Sequence, residues 1–345
     1  MRFWKSALAL MVLSLAARGA AAFTPESGLW WNPAEDGRGY AIEIQDNVLA
    51  ILVYGYDNDT ARTSAFFTAA GPLQGNASFS GTLDGATNGQ CLTCVYTGRP
   101  IILTGAGGAV SIVFDTETRA RLTLGGRSIN IERFNFALGN ATQQMQGEWQ
   151  VVLDFAPTGT TTPQNNSPFF GEIMTIDSVD TVPNPDQYRG CRPTNSLRLC
   201  APLDYANHDL AGFFDSVQNK QIIVVTDRVD GSDRYSLVYY VTAGLSQFDG
   251  VVEVRRNNVP SAPRYPVRGF RSASKRFVQT GSGPNSVDPG SKFVAASFAR
   301  PGVIEALGGI DKLPEGLSAA QVKSQYGIDL DALAPRVHAL IESMH

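Results

Sequence analysis

The sequence predicts a mainly β protein: two related, small antiparallel units, barrel-like or sandwich-like, followed by a short α-helical tail. Three observations predict it. Apolar and polar residues alternate over short runs. Turn formers, drawn from 34 glycines and 19 prolines, punctuate those runs closely. Four segments of the first half recur in the same order in the second. At 43% hydrophobic and 17% charged residues, the chain has the apolar material for ordinary cores. A single larger β assembly with the units fused is the alternative.

Residues 1–22 have the three-part pattern of a cleavable secretory signal peptide. Arg2 and Lys5 are the positive start, Ala7 to Ala17 is apolar but for Ser14, and Ala20-Ala21-Ala22 ends it with small residues. The apolar run is too short to span a bilayer as a helix. The first β unit is expected over 23–138. Tyr40, Ile42 and Ile44 alternate with Ala41, Glu43 and Gln45, and Asp46-Asn47 offers a tight turn. Val48 to Tyr56 is a second strand, Phe66 and Phe67 lie in a third that Gly71-Pro72 ends, and shorter strands are expected around 78–83, 111–114, 120–124 and 128–136.

The second unit, over 145–271, is inferred from the repeat. Gly147-Glu148-Trp149 echoes Gly28-Leu29-Trp30, and residues 171–174 echo 41–44. Residues 239–244 match 66–71, and 248–253 match 79–84. The spacing predicts an inserted loop at about 179–220. A linker is expected over 272–295, where residues 280–291 read TGSGPNSVDPGS, and a helical tail over 296–345. In the tail, Ser318 and Gln321 suit a capping box, Gly327 a helix stop and Pro335 the opening of a last helix. Val337, Leu340, Ile341 and Met344 would share one face of that helix.

Cys91, Cys94, Cys191 and Cys200 permit three pairings, of which Cys91–Cys94 with Cys191–Cys200 needs no long-range coincidence. Four cysteines and an export signal together suggest structural disulfides and a periplasmic or extracellular location. Loss of Arg2, Lys5 and Arg18 from the 28 basic residues leaves 25 against 32 acidic ones, a formal charge of −7. That balance excludes the basic footprint of a nucleic-acid binder. After residue 22 no stretch is long and apolar enough for a membrane span.

Residues 27–40 read SGLWWNPAEDGRGY and lead into AIEIQDNVLAILVYGYD. This resembles a widespread, poorly characterised domain of exported proteobacterial proteins. That domain opens with paired tryptophans, Asn-Pro, an acidic residue and Gly-x-Gly, and later has a Tyr-Asp turn and an aromatic strand running into Gly-Pro. Tyr56-Asp57 and Phe66 to Pro72 match the later features, so the resemblance covers about residues 27–136. After the Tyr-Asp turn the chain departs from the pattern, with Thr60 and Phe66 where the usual glycine and tryptophan stand. The resemblance implies an exported β domain and carries no activity with it.

The chemistry-bearing residues are sparse. Neighbours in a strand face opposite ways, so one of Trp30 and Trp31 belongs inside and the other outside. Trp31, Glu35, Arg38, Tyr54 and Tyr56 are the candidate ligand-binding residues, because they fall in one compact stretch and Tyr54 and Tyr56 share a strand face. Cys91-Leu92-Thr93-Cys94 has redox or zinc spacing, but Val95 to Thr97 reads as extended and Gly98 to Pro100 as turn, and a disulfide fits better. His208, near Asp204 and Asp209, is the only histidine placed for a Ser-His-Asp hydrolase, and no Gly-x-Ser-x-Gly or HExxH motif accompanies it. Asp57-Asn58-Asp59 lacks the twelve-residue calcium loop and reads as a turn. No cofactor or metal is expected. The reading is an exported, non-catalytic binding or interaction protein whose partner is a small molecule, a glycan or an envelope protein. A secreted hydrolase and a structural envelope protein are the alternatives.

Overall fold

The computed structural model describes residues 23–344 apart from 58–59, 76, 157–166, 181–186, 194–198, 201–207, 231–232, 281–303, 305–308, 310–312 and 314. The expected signal segment, most of the TGSGPNSVDPGS stretch and the start of the expected tail lie outside the described residues. The chain divides into two compact units, Met1–Phe134 and Asn135–His345.

The first unit is a closed barrel of eight antiparallel strands in sequence order. They are β1 (Gly28–Trp31), β2 (Gly39–Gln45), β3 (Val48–Tyr56), β4 (Ser64–Pro72), β5 (Ser78–Thr87), β6 (Ile101–Thr116), β7 (Arg119–Leu124) and β8 (Arg127–Arg133). β8 returns to β1, with Trp30 opposite Arg133 and Trp31 opposite Glu132. The period-2 alternation read from the sequence sorts the side chains. Tyr40 and Ile42 of β2 and Leu49, Ile51 and Val53 of β3 turn into one apolar core with Trp30, Phe79 and Phe114. The ring is closed, with β4 and β5 joined through a single ladder pair, Thr68 with Asp84.

The second unit repeats the architecture. A short helix, α1 (Ala141–Gln144), precedes β9 (Gly147–Asp154), β10 (Phe169–Val179), β11 (Gln187–Cys191), β12 (Leu210–Asp215), β13 (Lys220–Asp230), β14 (Asp233–Ala243), β15 (Gln247–Arg256) and β16 (Val259–Ala273). These close into a second barrel through β16 and β9. Residues 179–220 are therefore more than an inserted loop, because they supply β11 and β12, two barrel strands. Those two strands also explain the uneven repeat. Its first two matches fall on equivalent strands, β1 with β9 and β2 with β10. Its last two pair the fourth and fifth strands of one barrel with the sixth and seventh of the other.

The shared Gly-x-Trp marks the same closing device in both barrels. Gly28 and Gly147 have φ of 131° and 145°. A methyl at either would run into the guanidinium of an arginine from the last strand, Arg133 or Arg271. The tryptophan two residues on is fully buried, and its indole N–H donates to a carbonyl four residues back: Trp30 to Glu26 at 3.2 Å, Trp149 to Met145 at 2.8 Å. Arg133 donates to the carbonyls of Ser27 and Leu29. Arg271 donates to those of Gln144, Gln146 and Leu245 and lies 4.2 Å over the Trp149 ring.

Where the linker is expected, β16 runs on to Ala273 and a helix, α2 (Lys275–Thr280), buries Phe277 and Val278. The tail holds α3 (Ala319–Tyr326), with the Ser318–Gln321 capping box and Gly327 as its left-handed stop, and α4 (Leu330–Ser343). Pro335 lies inside α4 and does not open it. Asp329 is the N-cap, and Leu330 and Leu333 carry the buried stripe back to the true first turn. Leu333, Val337, Leu340 and Ile341 pack on the outer wall of the second barrel against Phe213, Ile222 and Tyr240. Among the described residues no helix is long and apolar enough to cross a membrane.

Candidate functional site

The five candidate residues of the first unit fall on the outer wall and in the β1–β2 loop, and Tyr56 borders both, its ring facing Gly37 of that loop. Trp30 points into the core, so Trp31 points out, and it stacks on Phe134 with ring centroids 4.9 Å apart. β1 pairs with β2 through Trp30 and Tyr40, and the next step of that register brings Trp31 beside Gly39. Gly39 pairs with Tyr54, and Tyr54 with Phe66. Trp31, Gly39, Tyr54 and Phe66 thus form one line across four strands of the outer wall. Tyr54 is 46%, Tyr56 58% and Phe66 53% exposed, unusual for large aromatic groups whose neighbours Val53 and Phe67 turn inward. At Gly39 no side chain approaches the space a Cβ would take. The line is a run of aromatic faces with an uncovered backbone step between Trp31 and Tyr54. Adjacent strands are about 4.8 Å apart, so these two rings straddle that step at roughly 10 Å.

Glu35 and Arg38 lie at the barrel rim instead. The Glu35 carboxylate accepts from Arg38 and, at 2.7 Å, from Arg127, which opens β8. The loop itself is a turn: Asn32 accepts from the Glu35 amide through its carbonyl and from the Ala34 amide through its side chain. The ion-pair cluster thus ties the β1–β2 loop to the β7–β8 turn. Burial pushes the Tyr40 hydroxyl above its ordinary value, against the pull of Arg38 and Arg127.

The second unit holds a polar cluster that sequence reasoning misses. Arg192, just past β11, donates to Asp209 at 2.9 Å, to Asp227 at 2.8 Å and to Glu172 at 3.5 Å. Tyr239 donates its hydroxyl to Glu172 at 2.7 Å, and the Ile304 amide donates to Asp227. Glu172 and Tyr239 sit on inward-facing positions of β10 and β14 beside Met174 and Leu237. Burial holds the Glu172 carboxyl above its ordinary value even beside Arg192. Burial works against the Arg192 charge, yet Glu172, Asp209 and Asp227 outweigh it and hold the guanidinium up. Nothing in the sequence spacing signals this cluster, because its partners come from separate strands and loops.

Cys91 is bonded to Cys94 and Cys191 to Cys200, with Cα atoms 5.3 and 5.6 Å apart. His208 is mostly buried and its Nε2 lies 3.1 Å from Asp177, whereas Asp209 is taken up by Arg192 and Asp204 lies outside the described residues. No family model matches the chain, and no curated protein or solved structure matches it.

Proposed function

We propose that the chain is an exported, non-catalytic binding protein that takes its partner on the outer aromatic wall of the first barrel. The observation that carries this reading is the line Trp31–Gly39–Tyr54–Phe66, with Tyr56 beside it. The inward positions of the same strands are occupied by an apolar core, which leaves the outward-facing aromatic side chains to meet a partner. Exposed aromatic clusters on a folded domain are characteristic of recognition surfaces. Tyr and Trp supply large, stiff, amphipathic contact area, suited to a glycan, a small planar molecule or an envelope protein. The signal-like start at residues 1–22 and the disulfide in each unit support export. The resemblance of residues 27–136 to exported β domains points the same way.

A thermal-shift screen with glycans, peptides and lipids tests the reading. A stabilising ligand is expected to lose its effect in Trp31→Ala and Tyr54→Ala, with the circular dichroism of both variants unchanged, and to keep it in Arg38→Ala. Turnover of a screened substrate that vanishes in His208→Ala would replace this reading with the hydrolase.

A further inference from the structure

In the second unit one group of side chains has a chemistry that binding on the aromatic wall does not use. His208 Nε2 lies 3.1 and 3.2 Å from the two carboxylate oxygens of Asp177. The Cys200 sulfur joins them, so that one ligand atom from each of the three residues lies within 4.8 Å of the other two. Neighbouring strands fix Asp177 and His208, and the disulfide brings Cys200 to them. Asp177 lies on β10 at the bulge between Ile176 and Ser178, where a strand re-aims its side chains. Cys200 is held to Cys191 at the end of β11, and His208 stands two residues before β12. β11 pairs with β10 on one side and β12 on the other. A carboxylate, an imidazole and a thiolate are the donors that zinc takes, and three protein donors leave a fourth tetrahedral position for water or a further sulfur.

The disulfide opposes such a site. A thiolate is the ligand, and a disulfide sulfur carries no charge to offer. The Cys200 sulfur also lies 3.5 Å from the Thr175 carbonyl, held among polar atoms at the same spot. We propose that Asp177, Cys200 and His208 form a latent zinc site that the Cys191–Cys200 disulfide keeps closed and that reduction opens. A dithiol reductant supplies the two electrons and two protons. Its own sulfurs join in a disulfide, the Cys191–Cys200 bond breaks, and each cysteine becomes a thiol. Zinc then displaces the Cys200 thiol proton and any proton shared between His208 and Asp177, which leave to solvent. The site is independent of the aromatic wall.

The test uses the mature chain carrying Cys91→Ser and Cys94→Ser, which removes the other cysteine pair as a competing zinc ligand. Zinc affinity is measured by competition with a chromogenic chelator, before and after dithiol reduction. Cobalt is the spectroscopic probe, because a thiolate ligand gives it a near-ultraviolet charge-transfer band. The reduced chain is expected to bind one zinc, and the oxidised chain none at the same concentration. The further variant Cys191→Ser, which leaves Cys200 as a thiol without reductant, is expected to bind zinc in air-free buffer and to give the cobalt band. His208→Ala and Asp177→Asn, each added to that variant, should weaken zinc binding by more than the roughly 10–100-fold that loss of an outer-shell partner costs. Absence of zinc binding in both the reduced chain and the Cys191→Ser variant would overturn the proposal. So would zinc binding that survives His208→Ala and Asp177→Asn undiminished.

Discussion

At the scale of single residues, the neighbouring tryptophans of the opening motif carry different energies: successive strand side chains face opposite ways, so Trp30 is buried and Trp31 faces out against Phe134. The repeat also singles out Trp149, whose ring is sealed under Arg271. Trp149→Ala should therefore cost about 3–5 kcal/mol. Arg271→Ala should cost at least about 1–3 kcal/mol, because it strips donors from the carbonyls of Gln144, Gln146 and Leu245. Trp31→Ala should move the denaturation midpoint far less than either. Urea unfolding followed by near-ultraviolet circular dichroism checks the order of the three. The Arg192 cluster shows what a sequence hides. Its ion-pair partners lie 17 to 35 residues away, and only the side-by-side pairing of β10 to β13 brings them around one guanidinium. Burial raises the Glu172 carboxyl above its ordinary 4.5, so the folded chain holds that proton more tightly than the unfolded chain. The stability this contributes is complete below the ordinary value and is lost as pH rises through the folded one. Glu172→Gln keeps an acceptor for Tyr239 and removes the titration. Its melting temperature should fall less than the wild type's as pH rises from 4.5 into the neutral range. Parallel melting curves for the two proteins would refute the assignment of that slope to Glu172.

At the scale of elements, legibility follows periodicity. β2 alternates regularly and β3 is a continuous apolar run between turn formers, and the sequence marks both. β11 and β12 are five and six residues long and sit among turn formers such as Pro193, Asn207 and Asn219, so local signals read them as loop. Only pairing with β10 and β13 makes them strands. The last helix is a mixed case. Its apolar stripe is periodic and its partners are as expected of an amphipathic helix, but local signals place its start at Pro335, a residue suited to a first turn. Asp329, which accepts from the Ala332 amide, caps the helix earlier, and Leu330 and Leu333 gain burial by the extension. The apolar stripe predicts the energetics. Leu340 is 2% exposed against the outer wall of the barrel, so Leu340→Ala should cost about 2–5 kcal/mol. The exposed Glu342→Ala loses only the acceptor for the Asn258 side chain and should cost about 0.5–1.5 kcal/mol. Equal losses in the two variants, measured by urea unfolding, would mean that the helix does not depend on its barrel-facing stripe.

At the scale of the whole molecule, closure is what makes each unit self-sufficient. In the first unit every strand from β1 to β8 has two neighbours, both drawn from Met1–Phe134, and its apolar core is drawn from the same residues. Its Gly-x-Trp device is also complete, since Gly28, Trp30 and Arg133 all fall within it. The ring closes without a strand from residues 135–345, with β4 and β5 meeting through a single ladder pair, Thr68 with Asp84. A fragment of residues 23–134 should therefore fold alone, with a strand-type circular dichroism spectrum and one cooperative thermal transition. The cut after Phe134 keeps the ring that stacks on Trp31, so the aromatic wall remains whole. A ligand found with the full chain should bind this fragment with the same affinity and should not bind residues 135–345. Arg133→Ala in the fragment would remove the donors to Ser27 and Leu29 at the closing strand pair, and should lower the transition temperature without changing the wall. A fragment that is unfolded or aggregated, while the full chain folds, would show that the first barrel depends on the rest of the chain. A folded fragment that fails to bind would move the partner's site out of residues 23–134 and off the aromatic wall.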